Sequence, residues 1–279
     1  MFFAITFPNG WLATMGLVGL IFGSFLNVVI FRLPVMMARR CQQDNSDSKE
    51  GQDDISHESI YNLCWPPSMC FHCRQRIPVI DNVPLLSWLW LKGRSRCCQQ
   101  PLPVQYPLVE AATMLAFIVA GKLWAPGLFL LGVLVLLSFL IVLTVIDMRT
   151  FLLPDELTLL LLWVGLVFNL FGEFVPLDEA VIGAMVGYTS LWLVYCAFKY
   201  ITAKDALGYG DFKLLAALGA WLGWRELPNL ILFASLGGLC ITLVWRLLHR
   251  KEVNAPLAFG PWLAAGGMFC LIVDFHGTY

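Results

Sequence analysis

The stretch Leu207-Gly208-Tyr209-Gly210-Asp211-Phe212-Lys213-Leu214 places an acid among glycines at the point where a long apolar run begins. A second acid stands at the edge of another such run, in Ile146-Asp147-Met148-Arg149-Thr150-Phe151-Leu152-Leu153-Pro154-Asp155. An aspartate at the centre of a membrane helix costs roughly 2.5–3.5 kcal/mol on insertion scales, so an acid at a membrane edge is a functional candidate by default. The fold therefore turns on whether the runs behind these acids are membrane helices.

Composition says that they are. Of 279 residues, 59% are hydrophobic and 13% charged, and the mean hydropathy is +0.74. This lies far outside the range of soluble domains and implies an all-α polytopic membrane protein. A net charge of −1 with no basic patch gives no reason to expect nucleic acid as a partner. The lipid bilayer is the partner that composition demands.

Eight apolar runs read as spans, at 11–31, 107–123, 127–146, 157–173, 180–199, 212–225, 228–247 and 257–273, the sixth being short. The first has 21 residues, about 31 Å of helix and enough for a hydrocarbon core. No Lys or Arg precedes Arg32, so this run reads as a retained anchor rather than a cleaved signal. Pro34 discourages helix beyond it. Gly19 with Gly23, Gly183 with Gly187 and Gly219 with Gly223 have the spacing of close helix contacts. Asn27 admits two readings, an interhelical hydrogen-bonder or part of a site.

Three segments follow. Residues 1–31 form the first transmembrane helix with its N-terminus outside. Residues 32–106 are the one sizeable aqueous loop domain, and 41–58 within it have the composition of a disordered insertion. Residues 107–279 form a seven-helix membrane core. Nine of the 18 Lys and Arg residues lie in 32–106, and most others lie at 147–156, 200–213 and 246–256. These loops share one side of the membrane, so they face the cytoplasm. Asp147, Asp211 and the loop cysteines then meet the same reducing compartment.

Two carboxyl groups sharing a proton suffice to hydrolyse a peptide bond. One takes a proton from water while the other protonates the carbonyl oxygen. Gly208 and Gly210 lack the Cβ that would obstruct an extended substrate beside Asp211. Each acid also has a structural reading. Asp211 could be a helix N-cap, Asp147 could pair with Arg149, and Asp155 reads best as the cap of the fourth span.

Ile146-Asp147 with Leu153-Pro154-Asp155, followed by Gly208-Tyr209-Gly210-Asp211-Phe212-Lys213-Leu214, resembles the type IV prepilin peptidases, membrane aspartic proteases of the Gly-x-Gly-Asp class. Gly23-Ser24-Phe25-Leu26-Asn27-Val28-Val29-Ile30, Asp81-Asn82-Val83-Pro84-Leu85-Leu86-Ser87-Trp88, Tyr106-Pro107-Leu108-Val109-Glu110 and Phe259-Gly260-Pro261 extend the resemblance along nearly the whole chain. It implies that Asp147 and Asp211 are catalytic. It further implies cleavage of basic leaders from prepilin or pseudopilin precursors of a type IV pilus or type II secretion system, at the cytoplasmic face of the bacterial inner membrane. Methylation of the new N-terminus from S-adenosylmethionine is implied as well, with no residues assigned to that cofactor and no Gly-x-Gly-x-x-Gly in 32–106. Asp147, Asp155, Glu156, Asp205 and Asp211 would greet the basic leader.

Nine cysteines are present, and Cys70-Phe71-His72-Cys73 followed by Cys97-Cys98 has the outline of two halves of a zinc site. Aligned on Tyr106-Pro107, the family's third cysteine falls on Ser95 and its fourth on Cys98. Two readings stand: structural zinc on Cys70, Cys73 and Cys98 completed by Cys97, Cys64 or His72, or a metal-free thiol cluster. Two functions of other classes also fit acids in a membrane protein, a proton-coupled transporter and a noncatalytic zinc-binding assembly factor. Acids at span ends and the lack of an internal repeat speak against the transporter. The sequence leaves the oligomeric state open.

Overall fold

A computed structural model describes residues 8–46, 62–63, 65, 67, 69–70, 72–73, 75–78, 81, 83–202, 208–249 and 258–275. Its helices are α1 (Pro8–Ser46), α2 (Leu86–Trp90), α3 (Gln105–Leu123), α4 (Leu128–Thr150), α5 (Asp155–Leu170), α6 (Leu177–Thr202), α7 (Tyr209–Leu222), α8 (Leu227–His249) and α9 (Gly260–Phe275). Among the described residues there is no strand, only the isolated bridges Met69 to Arg76 and Arg94 to Pro101. The protein is an all-α polytopic membrane protein.

Each expected run coincides with a helix. Helices α1, α3, α4, α6 and α8 are long and apolar enough to cross a membrane. The other three, α5, α7 and α9, have 16, 14 and 16 residues. The expectation that Pro34 ends the first helix is wrong. Helix α1 continues through it to Ser46, at the cost of one hydrogen bond that a long helix absorbs. The first six residues of the expected insertion, 41–46, are thus helical; 47–58 lie outside the described residues.

The chain divides into two units, Leu12–Ile118 on one hand and Met1–Trp11 with Val119–Tyr279 on the other. In the first, α1 and α3 pack with contacts that step four residues at a time, because residues i and i+4 share a helix face. A Cβ on Gly19 would lie 2.8 Å from Met114 Cα, and one on Gly23 would lie 2.8 Å from Glu110 Cα. One turn further, Asn27 Nδ2 donates to Tyr106 O at 3.1 Å. The packing reading of Gly19, Gly23 and Asn27 holds here.

In the second unit α7 lies between α5 and α6, also meeting α8 and α9. Glycine permits the close approach to α6. A Cβ on Gly183 would run into the Gly219 carbonyl, and one on Gly187 would sit 2.7 Å from Leu215 O. Gly223 does a different job, closing α7 with φ +81°. Apart from Lys213, every residue of α7 from Asp211 to Leu222 is buried. Two polar groups hold its far end. Trp221 Nε1 donates to Leu161 O at 2.9 Å. Buried Asn169 donates to Ala220 O and accepts from the amides of Phe174 and Val175, so its polar atoms are matched inside the protein as burial requires.

Candidate active site

Asp147 lies in the last turn of α4, a helix whose sequence is almost wholly apolar, and is only 4% exposed. Asp211 lies in the first turn of α7 and is 8% exposed. The N-cap of α7 is Gly208, in extended conformation, so Asp211 is the third helical residue and not the cap. Its carboxyl accepts from the Gly208 amide, the acid's half of a capping box. Gly208 thus holds the side chain through its amide, while a Cβ on it would lie 3.6 Å from Asp211 Oδ2, an ordinary contact.

Asp147 Oδ2 accepts a 2.9 Å hydrogen bond from the amide of Gly260, the first residue of α9. A Cβ on Gly260 would sit 2.6 Å from that oxygen and 3.4 Å from Leu153 Cδ1. On the other side, a Cβ on Gly210 would sit 2.6 Å from Leu153 Cβ. The Leu153 side chain therefore lies between the glycine that precedes Asp211 and the glycine that holds Asp147. The two carboxyls are close enough for their charges to act on each other.

The capping role expected of Asp155 is not observed. Pro154 is the N-cap of α5 and Asp155 is its first residue, with no side-chain cap bond. Asp155 Oδ2 instead pairs with Lys213 Nζ at 2.6 Å, tying the start of α5 to the first turns of α7. Beside this, Lys199 Nζ donates to Tyr195 Oη at 2.9 Å, and Tyr195 Oη lies 3.2 Å from Tyr209 Oη within the glycine segment. Asp205 lies outside the described residues. The Gly260 amide, Leu153 and Lys213 are absent from the sequence expectations, although Phe259-Gly260-Pro261 and Lys213 stood in the quoted motifs.

The cysteine unit has its own geometry. The Cys70 amide donates to Gln75 O within the Met69 to Arg76 bridge, and the Ser95 amide donates to Gln100 O within the Arg94 to Pro101 bridge, both at 2.9 Å. The two turns repeat at an offset of 25 residues. Ser95 therefore occupies the place of Cys70, Cys98 that of Cys73, and Cys97 that of His72. Ser95 Oγ lies 3.1 Å from Cys98 Sγ, leaving Cys97 to approach Cys73 at 3.1 Å, while Cys70 and Cys98 are 3.6 Å apart.

The sulfurs of Cys70, Cys73, Cys97 and Cys98 all lie within 4.8 Å of one another. Tetrahedral zinc with bonds of about 2.3 Å places its sulfurs about 3.8 Å apart, so the donor set fits that ion. The amides of Cys73 and His72 draw the Cys70 thiol down to about 6, whereas the hydrogen bond shared with Cys73, above all, favours the protonated Cys97 thiol and pushes it up to about 12. His72 is not in the group, and Cys64 lies outside the described residues.

Buried Glu110 accepts a 2.8 Å hydrogen bond from the Leu85 amide. Among the described residues, Asn27 Oδ1, Trp88 Nε1 and Gln105 Nε2 are buried with no hydrogen-bond partner.

Residues 17–123 match the bacterial peptidase A24 N-terminal domain, and residues 134–243 match the type IV leader peptidase family. A prepilin leader peptidase/N-methyltransferase of Pectobacterium carotovorum subsp. carotovorum is 64% identical over 98% of this chain and 96% of its own. Proteins of that name from Dickeya chrysanthemi and Aeromonas hydrophila are 54% and 50% identical, covering 99% and 92% of this chain and 98% and 88% of their own. No solved structure matches. Similarity running almost end to end, across both acid-bearing motifs and the cysteine turns, places this chain in the type IV leader peptidase family.

Proposed function

We propose that this protein cleaves the leader from prepilin or pseudopilin precursors with Asp147 and Asp211 and then N-methylates the new terminus. The observation that carries the assignment of residues is the pair of buried carboxyls gathered around Leu153, each held by a glycine amide. Membership in a peptidase family removes the transporter and assembly-factor alternatives. In the reaction one carboxyl is protonated and one is not. The charged one takes a proton from water as the oxygen attacks the scissile carbonyl carbon. The other protonates the carbonyl oxygen to give a tetrahedral diol; as the C–N bond breaks, the first carboxyl passes its proton to the leaving amine and a diol hydroxyl gives one back to the second. The Gly260 and Gly208 amides fix both carboxyls without being consumed.

The lysines and arginines at 147–156 and 200–213 support a cytoplasmic orientation in the inner membrane, with residues 1–31 as anchor, 32–106 as loop domain and 107–279 as peptidase core. A basic leader then meets the side on which Asp147 and Asp211 lie. Zinc would be held by Cys70, Cys73, Cys97 and Cys98 and would supply a structural crosslink between two turns too short to be stable alone. S-adenosylmethionine is the methyl donor that N-methylation implies. When bound, it would supply the methyl group carried to the new terminal nitrogen. Incubation of purified enzyme with a pilin-like precursor and labelled methyl donor, followed by mass analysis of the product N-terminus, tests both activities. An uncleaved precursor overturns the first, and a cleaved, unmethylated product overturns the second.

A further inference from the structure

Helix α2 exposes one apolar face. Leu86, Leu89 and Trp90, at positions i, i+3 and i+4, are 65%, 64% and 86% exposed, an arrangement that aqueous solvent penalises. The residue before this helix is fixed in height. The Leu85 amide is bonded to Glu110, five residues into α3, which is about 7.5 Å along that helix. Glu110 lies between Leu108 and Leu115, both exposed on α3, and packs on Gly23 of α1, whose neighbours Phe22 and Phe25 are exposed too. Helices α1 and α3 are both membrane spans by length and composition. At this level the outward side chains of both are apolar, as lipid-facing residues must be. Charge then changes within a few residues of Trp90, where Lys92 and Arg94 are exposed, whereas Arg96 is paired with Asp81 at 2.8 Å.

We infer that α2 is an interfacial helix, seated with Leu86, Leu89 and Trp90 among the acyl chains next to α1 and α3 and with Lys92 and Arg94 against anionic lipid headgroups. The lipid-facing surface of the spans continues onto it, and an exposed tryptophan followed by cations is the side-chain order of a membrane interface. The loop domain would then rest on the bilayer at one further point besides its two chain ends.

The test uses the full chain in nanodiscs. Because the protein has 11 tryptophans, the fluorescence difference between wild type and Trp90→Phe isolates Trp90. Dibrominated phospholipid should quench more than half of that difference, and aqueous iodide should quench little of it; the reverse pattern overturns the inference. As an independent readout, a photoreactive phenylalanine analogue at position 89 should crosslink to phospholipid, whereas crosslinking to a second copy or to an added precursor overturns it. Combining Lys92→Glu with Arg94→Glu should weaken bromolipid quenching at least twofold in phosphatidylglycerol discs but not in phosphatidylcholine discs. Equal behaviour in the two lipids overturns the headgroup contact.

Discussion

The amide of Gly260 donates to Oδ2 of Asp147 across 113 residues of sequence, so the start of the last helix orients an acid at the end of α4. A fixed donor of this kind constrains a carboxyl without needing a charged neighbour. Gly260→Ala would set a methyl group 2.6 Å from the oxygen it now holds. Turnover of precursor should fall about 10²-fold, within the range for loss of one preorganised donor, while KM and the thermal unfolding midpoint change little. Kinetics and a melt on the same preparation check it.

Asp147→Asn and Asp211→Asn keep the side-chain volume and remove the acid. Either should lower cleavage by about 10²–10⁴-fold, the scale of general acid-base assistance, with membrane protein level unchanged. Because the two groups act as a unit, the double variant should be scarcely worse than the singles. Processing at the normal rate in either single variant would sink the dyad.

The Lys213 to Asp155 pair is short but wet, with side chains 26% and 57% exposed. Water therefore screens most of its energy. A double-mutant cycle with Lys213→Ala and Asp155→Ala should give a coupling of about 0.2–1 kcal/mol in stability, measured by denaturant unfolding in detergent micelles.

Asn169 presents the opposite case, a fully buried amide matched to four backbone groups between α7 and the turn after α5. Asn169→Leu would leave those groups unpaired. Loss of stability should be about 1–3 kcal/mol or more, and a melt of the purified variant measures it.

Metal analysis of purified protein should find about one zinc per chain, the number that one tetrahedral four-sulfur site holds. Cys97→Ser should lose most of it. Since Ser95 occupies the place of Cys70 in the repeated turn, Ser95→Cys in the Cys97→Ser background should restore the ion. Failure of that rescue would show that Cys97 is not standing in for position 95.

Much of this was legible in the residues. Apolar runs mark membrane helices because lipid offers no partner to a bare backbone, and the helices fall where those runs lie. The acids stood out because ionisable residues at membrane edges need a reason. What stayed hidden was carried by the backbone. The Gly260 amide has no side-chain signature, and Pro34 reads as a stop although a long helix tolerates it. Asp155 reads as a cap because its true partner, Lys213, lies 58 residues on. The repeat of Cys70-x2-Cys73-x-Gln75 in Ser95-x2-Cys98-x-Gln100 was written in the sequence, but a serine at its first position disguises it.

Helix α7 has 14 residues, about 21 Å of helix against a hydrocarbon core of about 30 Å. Its neighbours bury it from Asp211 to Leu222, with Lys213 alone partly exposed, so hydrophobic mismatch acts on them and not on it. The environment of Asp211 is therefore set by protein rather than by the acyl chains, and changes in bilayer thickness reach the carboxyl only by moving the helices packed around α7.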